Sequence, residues 1–290
     1  MKQDSRKILV TADDFGFTAG VTDGILKSHD DGIITHTGLM VNMPDCDRAV
    51  KLARTRDKLS VGLHLNLTQG TPLCKPSDIK SLVNSNGQFK GLGLSYPRTA
   101  KSSDLEKEIR AQIEKFCQYG FPQLHIDGHH YVTFMPKVLR IIAKITPEYG
   151  IKSVRMIDTN MIKLGIKKVI LAFSVLILGF KSVLGIRRFI NWGRTILEDA
   201  GLTMPDCLVS WQLFGNDDPE NSIIRTIASL RSGVTELFGH PGFVDTELVN
   251  VSSFTDLRLR ELEAFTSPNV KQALVESDAE IINAYALGGF

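Results

Sequence analysis

Three short polar clusters in this sequence carry carboxylate and imidazole side chains that could hold a metal ion. The clusters contain Asp13-Asp14, His64, and His125-x-Asp127-x-His129-His130. Two imidazoles and one carboxylate make a small N/O site for a divalent cation and leave coordination positions for water and substrate. An open site of this kind is typical of a catalytic metal rather than a structural one.

The adjacent pair Asp13-Asp14 offers two different roles at such a site. Neighbouring carboxylates repel each other unless a cation lies between them. The acid that does not bind the cation could remain beside a metal-bound water and accept its proton. The alternative is that Asp13 or Asp14 only caps the helix that follows.

The histidines also have purely structural interpretations. A lone His64 within a strand is typical of a hydrogen-bonded core residue, and His125 and His129 could be exposed loop residues. The joint position of these residues at the ends of consecutive predicted strands favours a metal site over those alternatives.

Two further residues follow later predicted strands. His240 lies in GHPGFVD, where it is a candidate general acid, although Pro241 and Gly242 could equally define a turn in which His240 is incidental. Arg155 lies in SVRM and could pair with Asp13 or hold a substrate oxygen; a surface ion pair is the alternative.

Apolar runs alternate with helical patterns along most of the chain, which predicts βαβ units and a parallel sheet. The predicted strands are Ile8–Ala12, Thr37–Val41, Val61–Leu67, Leu124–Asp127, Ser153–Met156, Thr235–Gly239 and one near Ile281–Ala284. The predicted helices are Val21–Asp31, Asp47–Arg56, Asp104–Tyr119, Pro136–Tyr149, Glu220–Ser232 and Asn269–Glu276. We therefore expect an α/β fold, a TIM-like (β/α)-barrel of about seven strands that could be incomplete. The carboxyl ends of its strands would bring the polar clusters to one face.

The composition is that of an ordinary globular protein, with 290 residues of which 43% are hydrophobic. We expect one domain over residues 1–290, with an insertion at about 157–205. The net charge of +2 gives no electrostatic field that would attract nucleic acid or a membrane surface.

Two features of the sequence predict a cytoplasmic protein. The four cysteines are far apart and form no C-x-x-C pair. The start MKQDSRKILV lacks the apolar core of a secretory signal.

The segment Val169–Phe180 is apolar, uncharged and flanked by basic residues. It is shorter than the roughly 20 residues needed to span a bilayer, which favours a buried or lid-like helix. Peripheral contact with a membrane or a lipid is the alternative.

Four motifs resemble the YdjC-like carbohydrate deacetylases, which include chito-oligosaccharide deacetylases and hopanoid-biosynthesis proteins. The motifs are TADDFG at 11–16, GLHLNLT at 62–68, HIDGHH at 125–130 and GHPGF at 239–243. They occur in the family's order and span nearly the whole chain, apart from the region of about 157–205.

The resemblance implies a (β/α)-barrel that hydrolyses acetamido groups on sugars with one bound divalent metal ion. It implies Asp14, His64 and His129 as ligands and Asp13 as the base, and it places His240 where the family has its later histidine. Such an N2O ligand set accepts zinc or magnesium, and also cobalt or nickel. The resemblance also suggests a homodimer.

This chain departs from the family where relatives usually read HHHVH and it reads HHYVT. The first histidine, the implied ligand His129, is kept, but substrate contacts near Tyr131 and Thr133 cannot be carried over from the family. We predict that Arg155, His130 and Tyr131 contact the substrate, an acetylated sugar that could be lipid-linked. The alternative functions are metal-dependent phosphoester hydrolysis and a non-catalytic protein that binds sugar or metal.

Overall fold

The structure is a computed structural model that describes residues 5–91, 96–158, 183–210 and 218–287. The strands within these ranges are β1 (Arg6–Phe15), β2 (His36–Leu39), β3 (Ser60–Leu65), β4 (His125–Gly128), β5 (Ser153–Val154), β6 (Cys207–Val209), β7 (Gly233–Gly239) and β8 (Glu280–Ile282). The α-helices are α1 (Ala19–Asp30), α2 (Cys46–Ala53), α3 (Tyr96–Thr99), α4 (Ser102–Gln118), α5 (Pro136–Tyr149), α6 (Val183–Asp199), α7 (Pro219–Ala228), α8 (Thr246–Val251), α9 (Asp256–Thr266) and α10 (Pro268–Glu276).

The strand order is β5-β4-β3-β2-β1-β7-β6, and β8 pairs with the first half of β1. Parallel pairing joins β1 to β2, β7 and β8, β3 to β4, β4 to β5, and β6 to β7, as expected where helices connect successive strands. The predicted incomplete (β/α)-barrel is therefore confirmed, and the described part of the chain contributes seven strands to the main order and an eighth beside β1.

The chain groups into two compact units. The first comprises residues 1–39, 44–62 and 205–290, and its core includes the buried side chains of β1 and β7. The second comprises residues 40–43 and 63–204, and its core includes the apolar faces of α4 and α5. The interpretation of residues 1–290 as one domain stays a prediction.

β1 forms because an apolar run is covered on both of its faces. All residues from Ile8 to Phe15 are buried, the pattern of a parallel strand inside an α/β protein. Seven residue pairs, from Arg6 with Gly233 to Ala12 with Gly239, align β1 with β7. The register of β1 with β2 then shifts between Ala12 and Phe15, at the carboxyl end of the strand where the acidic pair lies.

Most predicted elements are present, and α5 has the bounds that its pattern predicted. The strand β6 and the helices α8 and α9 were not predicted. The helix α6 lies inside the predicted insertion, whereas the apolar segment Val169–Phe180 lies outside the described residues. Within the described ranges, no helix combines the length and the apolar character needed to cross a membrane.

Candidate metal centre

The acidic pair at the end of β1 lies where the strand loses its regular form. Asp14 has a φ of 71°, a left-handed conformation that costs a non-glycine residue about 1–3 kcal/mol. It breaks the alternation by which adjacent strand residues point to opposite faces. Asp13 and Asp14 are 3% and 1% exposed. The cap of α1 is formed by Thr18, which accepts a hydrogen bond from the backbone N–H of Val21, so the capping interpretation of the acidic pair is wrong.

Asp14 is held by an arginine from the far end of the sequence. The Nη2 of Arg258, on α9, lies 2.5 Å from Oδ2 of Asp14, and both side chains are buried. The guanidinium also lies over the rings of Phe17 and Phe254, at 5.8 Å and 5.4 Å from their centroids. A buried carboxylate needs such a partner, because an uncompensated buried charge is strongly destabilising.

His240 follows β7 and lies between two carboxylates of the same compact unit. Its Nε2 is 3.8 Å from Oδ2 of Asp13, and its Nδ1 is 3.9 Å from Oε2 of Glu261. Its backbone N–H donates a hydrogen bond to Glu261. Gly239 is needed here because a Cβ at this position would lie 2.5 Å from the Glu261 carboxylate.

These carboxylates set the acidity of His240. Burial by itself lowers the pKa of the imidazole, but the nearby charges of Glu261, Asp13 and Asp14 outweigh it and raise the pKa above its ordinary value. His240 therefore keeps a proton at a higher pH than an average histidine does. That protonation state suits a general acid.

In the second compact unit, His64 and Asp127 form a buried pair. The Nδ1 of His64 and Oδ1 of Asp127 are 2.8 Å apart, and Nη2 of Arg155 lies 2.9 Å from Oδ2 of Asp127. Burial raises the pKa of Asp127, but its interactions with His64 and with the Arg155 guanidinium outweigh burial and hold that pKa well below its ordinary value. The interpretation of Arg155 as part of a surface ion pair is wrong, because this side chain is 2% exposed. The sequence did not indicate Asp127 as its partner.

The segment after β4 has an unusual backbone. His130 and Tyr131 both have left-handed conformations, with φ of 51° and 57°. Two consecutive non-glycine residues of this kind mark a segment held by its surroundings, as is common at functional sites. The Nδ1 of His130 is 2.9 Å from Oγ1 of Thr68, and the ring of Tyr131 stacks on Phe134 at 5.7 Å.

The two earlier histidines of this cluster are buried. His129 lies beside His64, with ring centroids 5.7 Å apart, and Nδ1 of His125 is 2.8 Å from Oγ of Ser153. The exposed-loop interpretation of His125 and His129 is therefore wrong. His130 is exposed and Tyr131 is half-buried.

Two groups of buried acidic and imidazole side chains have the composition of a metal site. One set is Asp14, His64 and His129, and the other is Asp13, His64 and Asp127. Both groups use His64, so they are alternatives. Asp127 already contacts His64 Nδ1 and Arg155, which favours the first group.

The sequence comparisons identify one protein family over most of the chain. The YdjC-like protein family matches residues 7–276. The chain belongs to this family. It is 30% identical over 280 residues to a carbohydrate deacetylase of Geobacillus stearothermophilus, with 96% of each chain covered. It is 31% identical to a carbohydrate deacetylase of Clostridium beijerinckii, over 96% of this chain and 98% of the relative.

A solved structure from Enterococcus faecalis V583 resembles the fold over almost the whole chain. That protein is provisionally described as a cellobiose-phosphate cleavage protein. The TM-score is 0.79 at 26% identity, and the match covers 98% of this chain and 99% of the other. Its description names a different chemistry from that of the deacetylase relatives, so the comparison supports the fold.

Two residues of the site in this YdjC-like chain were not found from the sequence. These residues are Arg258, which contacts Asp14, and Glu261, which accepts a hydrogen bond from the backbone N–H of His240. They lie three positions apart on α9. Residues at this spacing share one face of a helix. The one available signal was a charged pair on a helix face, which by itself is typical of solvent-exposed helices.

We predict that Arg258→Met destabilises the fold by about 3–5 kcal/mol, because it leaves the buried Asp14 carboxylate without its cation. Urea unfolding of the metal-free chain measures this loss. Arg260→Met is the matched control: Arg260 lies on the same helix, is exposed and should change stability by less than about 0.5 kcal/mol. Equal stability of the two variants would contradict the importance of the Arg258 ion pair.

Proposed function

We propose that this protein hydrolyses the acetamido group of N-acetylated sugars with one divalent cation bound by Asp14, His64 and His129. The observation that carries the proposal is the burial of these three side chains, which supply one carboxylate and two imidazoles. A second support is the arrangement of Asp13, beside Asp14, at 3.8 Å from a histidine with a raised pKa. Similarity to carbohydrate deacetylases over nearly the whole chain supports the choice of substrate class.

The residues fit a catalytic cation. A carboxylate and two imidazoles are ligands that zinc, cobalt and nickel accept, and magnesium is compatible through the carboxylate and retained waters. Three protein ligands leave positions for water and substrate. When bound, the cation would polarise the acetamide carbonyl and lower the pKa of a water, to about 7 in the case of zinc.

Asp13 acts as general base in this proposal. It takes a proton from the water that attacks the acetamide carbon. His240, protonated at the start, donates its proton to the nitrogen as the C–N bond breaks. The products are acetate and a free amino sugar. The half-buried ring of Tyr131 and the exposed His130 contact the sugar next to the reacting group.

Acetate release from N-acetylglucosamine oligomers, compared with phosphate release from generic phosphate esters, tests the choice of reaction. We expect acetate and no phosphate. Phosphate release alone would favour a metal-dependent phosphoesterase, and release of neither product, with sugar binding retained, would favour a non-catalytic homologue. Such a phosphoesterase often holds two metal ions, whereas the two candidate groups among the described residues share His64.

We further propose that the substrate carries an apolar portion, such as a lipid, which contacts Val169–Phe180. The support for this proposal is the composition of the segment, which is apolar and flanked by basic residues. Each buried CH₂ contributes about 0.8 kcal/mol, so a lipid chain could dominate binding. Leu176→Ser with Leu178→Ser should then weaken hydrolysis of lipid-linked sugars and spare short soluble ones. Equal loss on both substrates, with lower stability, would show that the segment packs on the protein instead.

A further inference from the structure

Three neighbouring strands of the second compact unit place three charged or imidazole side chains in a row. In the register of β3 with β4, His64 pairs directly with Asp127. Beyond the last residue of β5, the backbone N–H of Arg155 donates to the carbonyl of Ile126, which places Arg155 beside Asp127. The sheet itself therefore aligns His64, Asp127 and Arg155.

The contact between His64 and Asp127 determines which nitrogen of the imidazole carries the proton. An ionised carboxylate only accepts hydrogen bonds, so Nδ1 of His64 must be the donor at 2.8 Å. In a neutral imidazole with the proton on Nδ1, the lone pair lies on Nε2. That tautomer is the one that can bind a cation through Nε2.

Arg155 holds the other oxygen of the same carboxylate. Its Nη2 lies 2.9 Å from Oδ2 of Asp127, and all three side chains of the row are at most 2% exposed. Without the Arg155 guanidinium, Asp127 would be a buried, unpaired anion beside His64, where it could compete as a metal ligand. The ion pair keeps Asp127 as the partner of His64.

We propose that Asp127, held by Arg155, is a positioning residue that fixes the tautomer and ring orientation of His64 for metal binding. This inference rests on the proposed metal site. It gives Arg155 a role in the protein's own ion-pair network, in place of the contact with substrate predicted from the sequence.

The test uses the full chain and titrates zinc by calorimetry into the wild type and four variants. Asp127→Asn and Arg155→Met should bind zinc about 10–100-fold more weakly, the usual cost of removing a partner of a metal-binding histidine. Arg155→Lys keeps the charge and should recover most of the affinity. Ser153→Ala is the control: it removes a buried hydrogen bond to His125 in the same strands and should leave zinc affinity unchanged.

A second readout is independent of the metal and of zinc affinity. Nitrogen-15 NMR of the metal-free wild type at pH 8 should show His64 with its proton on Nδ1. The amide introduced by Asp127→Asn can donate to Nδ1, so any folded protein with this substitution should move toward the Nε2–H form.

The outcomes separate the two levels of the proposal. A wild-type chain that binds none of zinc, cobalt, nickel or magnesium would contradict the proposed metal centre itself. Wild-type zinc binding with equal affinity in Asp127→Asn, or a metal-free wild type with its His64 proton on Nε2, would contradict only the positioning role.

Discussion

Asp13→Asn is expected to lower the turnover of an N-acetylglucosamine oligomer by about 10²–10⁴-fold, because an amide cannot accept the proton of the attacking water. Metal content should stay that of the wild type, since Asp14, His64 and His129 are the proposed ligands. Asparagine has nearly the shape of aspartate, so the buried position at the end of β1 is kept. The measurement is turnover at saturating substrate, with metal content determined on the same samples.

Asp23→Asn is the matched control for this change. Asp23 lies on α1, is half exposed and pairs with Arg48 at the surface, so its replacement should leave turnover unchanged. If Asp13→Asn instead retains normal turnover with normal metal content, the base is a different residue. If it loses the metal, Asp13 belongs to the ligands, as in the second candidate group.

The second large effect is expected for His240→Gln, also a loss of about 10²–10⁴-fold in turnover, because the departing amine then lacks its proton donor. The loss should be smaller for substrates whose leaving amine has a low pKa, since such an amine needs less help from an acid. His29→Gln is a suitable control, because His29 lies on α1 and its ring contacts the carbonyl oxygen of Ile34.

The pH profile of the wild type gives an independent check on His240. Its pKa is raised above the ordinary value of 6.5, so the active, protonated form persists below that raised pKa and is lost as the pH rises through it. We expect turnover to fall on the alkaline side as His240 loses its proton, and His240→Gln to lack this fall. An unchanged alkaline fall in the variant would assign it to another group.

The location of the candidate site residues at strand ends was predictable from the sequence, whereas their joint role stays a prediction. Asp13, His64 and His129 each follow or end an apolar run, so local patterning was enough to find them. Their supporting partners were not predictable. Arg258 contacts Asp14 across 244 positions of sequence, and no local pattern specifies a contact of that range.

For the fold, too, the elements with a strong local pattern were predictable and those without one were not. β1 and α5 are long and strongly patterned, whereas β6 has only three residues and gives no periodicity to detect. The left-handed conformation of Asp14 was also not predictable, because aspartate, unlike glycine, seldom adopts a positive φ and so gives no signal for it. Asp14 lies where the register of β1 with β2 shifts, and its side chain pairs with Arg258.

Chelation and reconstitution test the central claim most directly. The full chain is stripped with a chelator, dialysed and assayed for acetate release from N-acetylglucosamine oligomers, before and after one equivalent of zinc, cobalt, nickel or magnesium. We expect the stripped protein to be inactive and at least one ion to restore activity at one equivalent per chain in the wild type. His129→Ala, which lacks a proposed ligand, should not recover at that ratio. Full acetate release by the stripped protein, or equal recovery of His129→Ala, would contradict a catalytic cation held by Asp14, His64 and His129.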